Sequence, residues 1–280
     1  MHDPQGPRQA PWKEFHRTLS RRWVLVSPSH GVVPNSFRCL VTDSIRRDKL
    51  LAQMQILRGS VYLEDGAIQE SHLIDGKHRA DVDQSSWHLL VVDDDDRVYG
   101  CVRFHAFPYN PSFSQLNISR SALARSGEWG QTLEAAVEEE LSLLRRMNLL
   151  CVEMGGWALE AAIRGTTEAV RMALAMYSLS QELGGAIGIS TATRRHCSAS
   201  ILRRVGGRPF ACAGLELPAY HDPQFNCEME LLRFYSWAPN PRYVVWIEQI
   251  REQLRAIPVL TTGFQTMVAS QGEQRIRASC

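Results

Sequence analysis

Apolar residues in this chain come in short runs separated by stretches of helical period, from residue 37 onward. Phe37-Arg38-Cys39-Leu40-Val41 predicts a strand, and Ile45, Leu50, Met54 and Leu57 predict a helix over 44–60. A polar loop follows over 70–82. Trp87-His88-Leu89-Leu90-Val91-Val92 is a nearly continuous apolar strand. Asp93-Asp94-Asp95-Asp96 stops it, and Val98-Tyr99-Gly100-Cys101-Val102-Arg103-Phe104 resumes. That pattern is a β-hairpin with an acidic, solvated turn. No glycine-bearing calcium pattern surrounds the aspartates.

A loop rich in Pro, Ser and Asn covers 105–128, and Leu133, Val137, Leu141 and Leu144 then share one face of a helix over 131–147. A strand region begins at Leu149 and continues toward Ile163. A helix over 167–183 carries Val170, Leu174 and Tyr177 and closes on Gly184-Gly185. Ala186-Ile187-Gly188-Ile189 is a short buried strand, and a helix over 196–205 stops at Gly206-Gly207. Two strands, 209–217 and 227–235, flank a turn at His221-Asp222-Pro223, and a last helix covers 242–257. The alternation predicts one mixed α/β domain over 36–237. An irregular arm over 1–35 precedes it, and a C-terminal helix and loosely ordered tail over 238–280 follow.

Composition narrows the function classes. A net charge of +1 argues against a nucleic-acid binder. No apolar run is long enough for a transmembrane helix, and the start lacks a secretory signal, so a cytoplasmic protein without stable membrane insertion is expected. The seven cysteines include no C-x-x-C pair and no clustered ligands, so they read as reduced thiols and no metal site is expected. There is no internal repeat and no Rossmann glycine fingerprint.

The stretch from Glu153 to Ala169 carries the most chemistry. It reads as a strand, an Arg164-Gly165-Thr166-Thr167 turn, then a helix. A helix N-terminus presents unpaired N–H groups and partial positive charge, which suits a phosphate. Arg164 adds a planar donor fork. Gly165 lets the backbone approach closely, and Thr166 and Thr167 supply hydroxyls or caps. An ordinary helix start with a surface arginine reads from the same residues.

In the order of these motifs, residues 36–235 resemble the GNAT superfamily of acyltransferases. Arg164-Gly165-Thr166-Thr167-Glu168-Ala169 is similar to its Arg/Gln-x-x-Gly-x-Gly/Ala frame, with threonine where glycine is usual. Ala199-Ser200-Ile201-Leu202-Arg203-Arg204-Val205-Gly206-Gly207 is similar to its next helix and closing glycine. Asp83 ahead of the first hairpin strand, Gly100-Cys101-Val102-Arg103-Phe104, and Glu153-Met154-Gly155-Gly156-Trp157 look most like the acyl-homoserine-lactone synthases and N-acyl amino acid synthases. Cys227 to Phe234 and Pro239-Asn240-Pro241-Arg242-Tyr243 look like the latter branch. Gly156 replaces an arginine of the former, which points away from a homoserine-lactone-type acceptor.

The resemblance implies a GNAT fold, with a mixed, mostly antiparallel central sheet flanked by helices. It implies an N-acyltransferase that moves a long-chain acyl group from an acyl carrier protein or CoA thioester to a small amine such as an amino acid. No permanently bound cofactor is implied; the acyl-phosphopantetheine thioester is a co-substrate. Trp157, Ala158, Leu159, Arg164, Gly165, Thr166, Thr167, Glu168 and Ala169 would hold it, with the first three amides near the oxyanion. Glu153 would be the general base, or a strand-end carboxylate paired with arginine. Arg103 would bind an acceptor carboxylate, or pair with Asp83 or Glu153. Leu202 stands where many GNAT enzymes carry a tyrosine acid. Arg194, Arg195, Arg203 and Arg204 would meet the acidic helix of a carrier protein. Trp87 and Trp157 would line an acyl tunnel or fill core, and His88 and His196 read as packing residues. The competing readings are a short-chain acetyl-CoA-dependent N-acetyltransferase and a non-catalytic acyl-thioester sensor.

Overall fold

The computed structural model describes residues 21–107 and 110–262, together with the backbone of 266–268. In chain order the elements are β1 (Arg22–Val26), β2 (Val32–Pro34), β3 (Cys39–Thr42), α1 (Ser44–Glu64), β4 (Trp87–Val92), β5 (Val98–Ala106), α2 (Gly130–Met147) and β6 (Leu150–Leu159). There follow α3 (Glu168–Glu182), β7 (Ala186–Thr193), α4 (Ser198–Val205), β8 (Arg208–Pro209), β9 (Ala211–Cys212), β10 (Leu215–Glu216) and β11 (Tyr220–Asp222). The chain closes with β12 (Cys227–Tyr235), α5 (Val244–Ala256), β13 (Pro258–Thr261) and β14 (Thr266–Val268).

The main sheet runs β11-β12-β7-β6-β5-β4-β1-β13-β3, with β8 also on β12. Its pairs are antiparallel except β6–β7, β1–β13 and β13–β3. Both faces are covered, which is why strands such as β4 are apolar without alternation. Successive side chains point to opposite faces. On one face Val24, Val26, Leu90, Val92 and Cys101 pack on Leu50, Met54 and Val61 of α1. Beside them Cys151, Ile187, Ile189 and Leu231 pack on Leu133, Val137 and Leu141 of α2. On the other face Trp23, Leu25, Trp87, Val102, Phe104 and Val152 meet α3 and α5. Asp43 caps α1 by accepting from the Arg46 amide at 2.9 Å. Asn148, left-handed at φ 52°, ends α2.

The termini differ from the expectation. The irregular arm gives way at Arg22: Trp23 to Val26 are buried in β1, between β4 and β13. Five residues carry no period, and only pairing such as Trp23↔Val91 and Leu25↔Leu89 fixes them. Residues 1–20 lie outside the described residues. The C-terminal segment likewise returns to the sheet, where β13 lies between β1 and β3 with Val259 and Leu260 fully buried. The turn expected at His221-Asp222-Pro223 falls at 223–226, because β11 extends through Asp222.

If β13 belongs to the core, Leu260→Ala costs about 2–5 kcal/mol in urea unfolding. A variant as stable as the parent would remove β13 from the core.

Candidate active site

The site begins where two central strands part. β6 and β7 pair from Leu150↔Ala186 to Glu153↔Ile189, and there the ladder ends although both strands continue. On its other edge β6 stays with β5, at Arg103↔Gly155 and then, one residue out of register, at Cys101↔Ala158. The extra residue makes a β-bulge, which bends a strand. Gly156 adopts φ +62°, and a Cβ there would lie 3.2 Å from Arg58 Nη1 and 3.3 Å from the Arg103 Cβ. Glycine is therefore required at this bend.

The outer end of the cleft is the turn into α3. Gly165 has φ +73° with open space around it. The Thr166 hydroxyl donates to the Ile163 carbonyl at 2.8 Å and accepts from the Glu168 amide at 3.2 Å. Arg164, Gly165, Thr166 and Thr167 are exposed, so no described residue plugs the helix mouth. Arg164 donates through Nε to the Leu159 carbonyl at 2.9 Å and lies 3.7 Å from both Glu64 and Asp65. The Glu168 carboxylate is taken by Trp23 Nε1 at 3.0 Å and by Arg171. Ala169 is buried, and Ala158 and Leu159 remain opposite Cys101 and Gly100 on β5.

A polar constellation lies on the α1/α2 face of the same strands. His105 and Glu153 are direct cross-strand neighbours, two residues from Arg103 and Gly155. The buried Asp83 carboxylate accepts from Arg58 Nη1 at 3.0 Å, Arg58 Nη2 at 2.7 Å, Gln55 Nε2 at 3.0 Å and the Ala80 amide at 3.0 Å. Arg103 Nη1 lies 3.5 Å from the same carboxylate. Burial alone would raise the Asp83 carboxyl, but the Arg58 bonds outweigh it and hold it well below the usual range. Arg103 keeps a buried Nε without a partner among the described residues. Burial, helped by Arg58, pulls His78 down to about 4; burial also pulls His88 to about 4, so both rings are neutral. His88 Nε2 is bonded to the Asp83 carbonyl at 2.8 Å.

Glu153 is buried, yet its partner is no arginine. Its two oxygens accept from the Asn117 amide and Asn117 Nδ2, each at 2.7 Å. Burial lifts its carboxyl above the ordinary value, and the Asn117 bonds and the Arg103 charge offset only part of that. Sequence reasoning missed Arg58 and Asn117. Arg58 had a signal: it falls one turn after Met54 on the buried stripe of α1, where a charge needs a partner. Asn117, in a loop without period, had none.

Beneath α3, on the opposite face, an apolar cavity is lined by Val102, Met154, Trp157, Met176, Leu202 and Phe234. Its lining is predominantly apolar, as in sites that take hydrocarbon groups. Trp157 is among its lining residues. Trp87 is not; it stacks on Phe37 in the core. Arg194 and Arg203 both bond Glu230, and Arg195 bonds the carbonyls of Asp65 and Asn226. Of the four expected docking arginines, only Arg204 has no such partner among the described residues. His196 is exposed, 3.3 Å from Asp65. Among the described residues no helix is long and apolar enough to cross a membrane, and no group of three His, Cys, Asp or Glu side chains could hold a metal ion.

No family model and no curated protein matches the chain. Among solved structures, the CoA-dependent acyl-homoserine lactone synthase BjaI with SAM and isopentyl-CoA aligns with a TM-score of 0.51 at 12% identity, over 90% of this chain and 95% of that one. The same synthase with MTA gives the same values. FeeM, an N-acyl amino acid synthase from uncultured soil microbes, aligns with a TM-score of 0.44 at 12% identity, over 78% and 92%. The likeness to BjaI is one of fold: the chain has the GNAT-type acyltransferase fold that its motifs resemble.

Asp83→Asn leaves Arg58 an uncompensated buried charge, and should cost about 3–5 kcal/mol at neutral pH. Because the folded-state pKa of Asp83 is depressed, its stabilisation is present above the unfolded value of about 3.9 and is lost as pH falls toward the folded value. The gap between wild type and variant in urea unfolding therefore narrows below about pH 4; a gap that widens in acid contradicts this.

Proposed function

We propose that this protein is an N-acyltransferase that moves an acyl group from a phosphopantetheine thioester to the amine of a small acceptor bearing a carboxylate, such as an amino acid. One observation carries the reading. The break in the β6–β7 ladder joins an open helix mouth, an apolar cavity on one face and the Arg103/Glu153 constellation on the other.

The donor phosphate sits on the first-turn amides of α3, beside Gly165 and the Thr166 and Thr167 hydroxyls. The pantetheine arm lies along the β6 edge that β7 leaves unpaired, and the acyl chain enters the cavity beside Trp157. The acceptor carboxylate binds the Nε edge of Arg103, whose Nη1 is already turned to Asp83. Glu153 takes the amine proton: a carboxylate has about four acceptor sites, more than the Asn117 and Ile118 donors fill, and a raised pKa suits a base. The amine nitrogen bonds the thioester carbon, backbone amides near Trp157 receive the oxyanion, and the carbon–sulfur bond then breaks. A thiol of pKa about 8.5 leaves without a strong acid, in keeping with Leu202 in place of a tyrosine.

The apolar lining of the cavity, from Val102 and Met154 to Leu202, supports a hydrocarbon acyl group there. The fold shared with BjaI, which was solved with isopentyl-CoA, supports a thioester donor. Arg194 and Arg203 are both turned to Glu230 and Arg195 to backbone carbonyls, so an acidic carrier protein would have to compete with those bonds for three of the four arginines. CoA is therefore the donor to test first.

Purified protein given acyl-CoA and amino acids should release free thiol and form an N-acyl amino acid detectable by mass spectrometry. Tight thioester binding without product would favour a sensor. Arg103→Lys should raise the acceptor KM at least about tenfold, equivalent to the loss of about 1.4 kcal/mol, with the donor KM unchanged. Glu153→Gln should lower kcat about 10²- to 10⁴-fold, and the wild-type rate should rise with pH through a value above that of an ordinary carboxylate. Unimpaired turnover in Glu153→Gln would assign the proton elsewhere.

A further inference from the structure

Val152, Gly188 and Phe234 stand side by side on β6, β7 and β12. Two of the three are large, and the glycine between them leaves a hollow in the cavity wall. Met154, two residues beyond Val152 on the same face, fills that hollow. A Cβ on Gly188 would lie 2.5 Å from the Met154 Cε and 3.5 Å from its Sδ. Glycine inside a strand weakens it, and where it persists it marks a close approach by something else. Here the approach is made by an unbranched thioether with three rotatable bonds, the side chain best able to vacate its place. The cavity lining mixes small residues, among them Ala173, Ser180, Ala186 and Ser236, with the larger Met176, Tyr177 and Phe234.

We propose that Met154 and Gly188 set the length of acyl chain the protein accepts, the Met154 side chain swinging out of the hollow so that the far end of the chain runs across β7 at Gly188. This rests on the acyl-transfer reading above. Met154→Ala empties the hollow permanently and lengthens the preferred chain. Gly188→Ala forces the Met154 methyl back into the cavity and shortens it. General loosening of the fold would lower the activity on every donor alike and would not move the two variants in opposite directions.

The test is kcat/KM across straight-chain acyl-CoA donors of increasing even carbon number, for wild type and both variants. Each buried methylene changes binding about fourfold, so a shift of two carbons changes the ratio between neighbouring donors about fifteenfold. The expected result is an optimum two carbons longer in Met154→Ala and two shorter in Gly188→Ala. Should Gly188→Ala not fold, Met154→Phe, which narrows the cavity from the other wall, carries the same prediction of a shorter optimum. Turnover by wild type with the same chain-length profile in the variants overturns the proposal and leaves acyl transfer intact. Transfer from no donor by wild type removes acyl transfer, and this proposal with it.

Discussion

A strand ladder that stops in the middle of a sheet governs this molecule. Interior backbone amides and carbonyls need partners, and leaving them dry and unpaired is costly. The sheet nevertheless parts after Glu153 and Ile189, because the Gly156 bulge bends β6 while β5 holds its other edge. Arg58 and Arg103 press against that bend, so the cleft is built into the packing. The parted strands give access from one face of the sheet to the other, which no intact sheet allows. An extended donor lying there can take the hydrogen bonds that β7 does not.

The two faces meeting at the cleft are chemically opposite, and buried charge keeps them so. An ion pair as deep as Arg58–Asp83 contributes little net stability relative to an apolar pair, since desolvating both groups offsets their attraction. Its effect is orientation. Asp83 is saturated by Arg58, Gln55 and the Ala80 amide, so it fixes Arg103 from one side without consuming all of its donors. Glu153, held from the other side by Asn117, stands across the strand from His105 in the same polar seam. Side chains of Val102, Met154 and their neighbours face the other way, so under the proposed reaction strand parity alone would sort an acyl chain from a charged acceptor.

Much of this was legible in the chain itself, for physical reasons that also mark what was not. The β4–β5 hairpin and α3 read correctly because burial on both faces makes continuous apolar runs, and because aspartates and Gly184-Gly185 end them. The Arg164-to-Ala169 turn was recognisable as a helix mouth from local residues. β1 and β13 were not, since each is short and acquires its strand state from a neighbour far along the chain; the Ser27 amide, for instance, donates to the Leu260 carbonyl. The Gly155-Gly156 pair did not reveal which glycine bends, because that depends on arginines brought in by α1 and β5. Arg103 had two structural alternatives to ligand binding, and the fold brings it to Asp83 rather than Glu153, with donors to spare.

The position of the donor along β6 is best tested by hydrogen–deuterium exchange with a thioether analogue of an acyl-CoA, which binds but does not react. Slowed exchange in residues 154–159 and 166–170, with β13 and α2 unchanged, is the result this geometry predicts. Binding of the analogue with no added protection in either segment would contradict it.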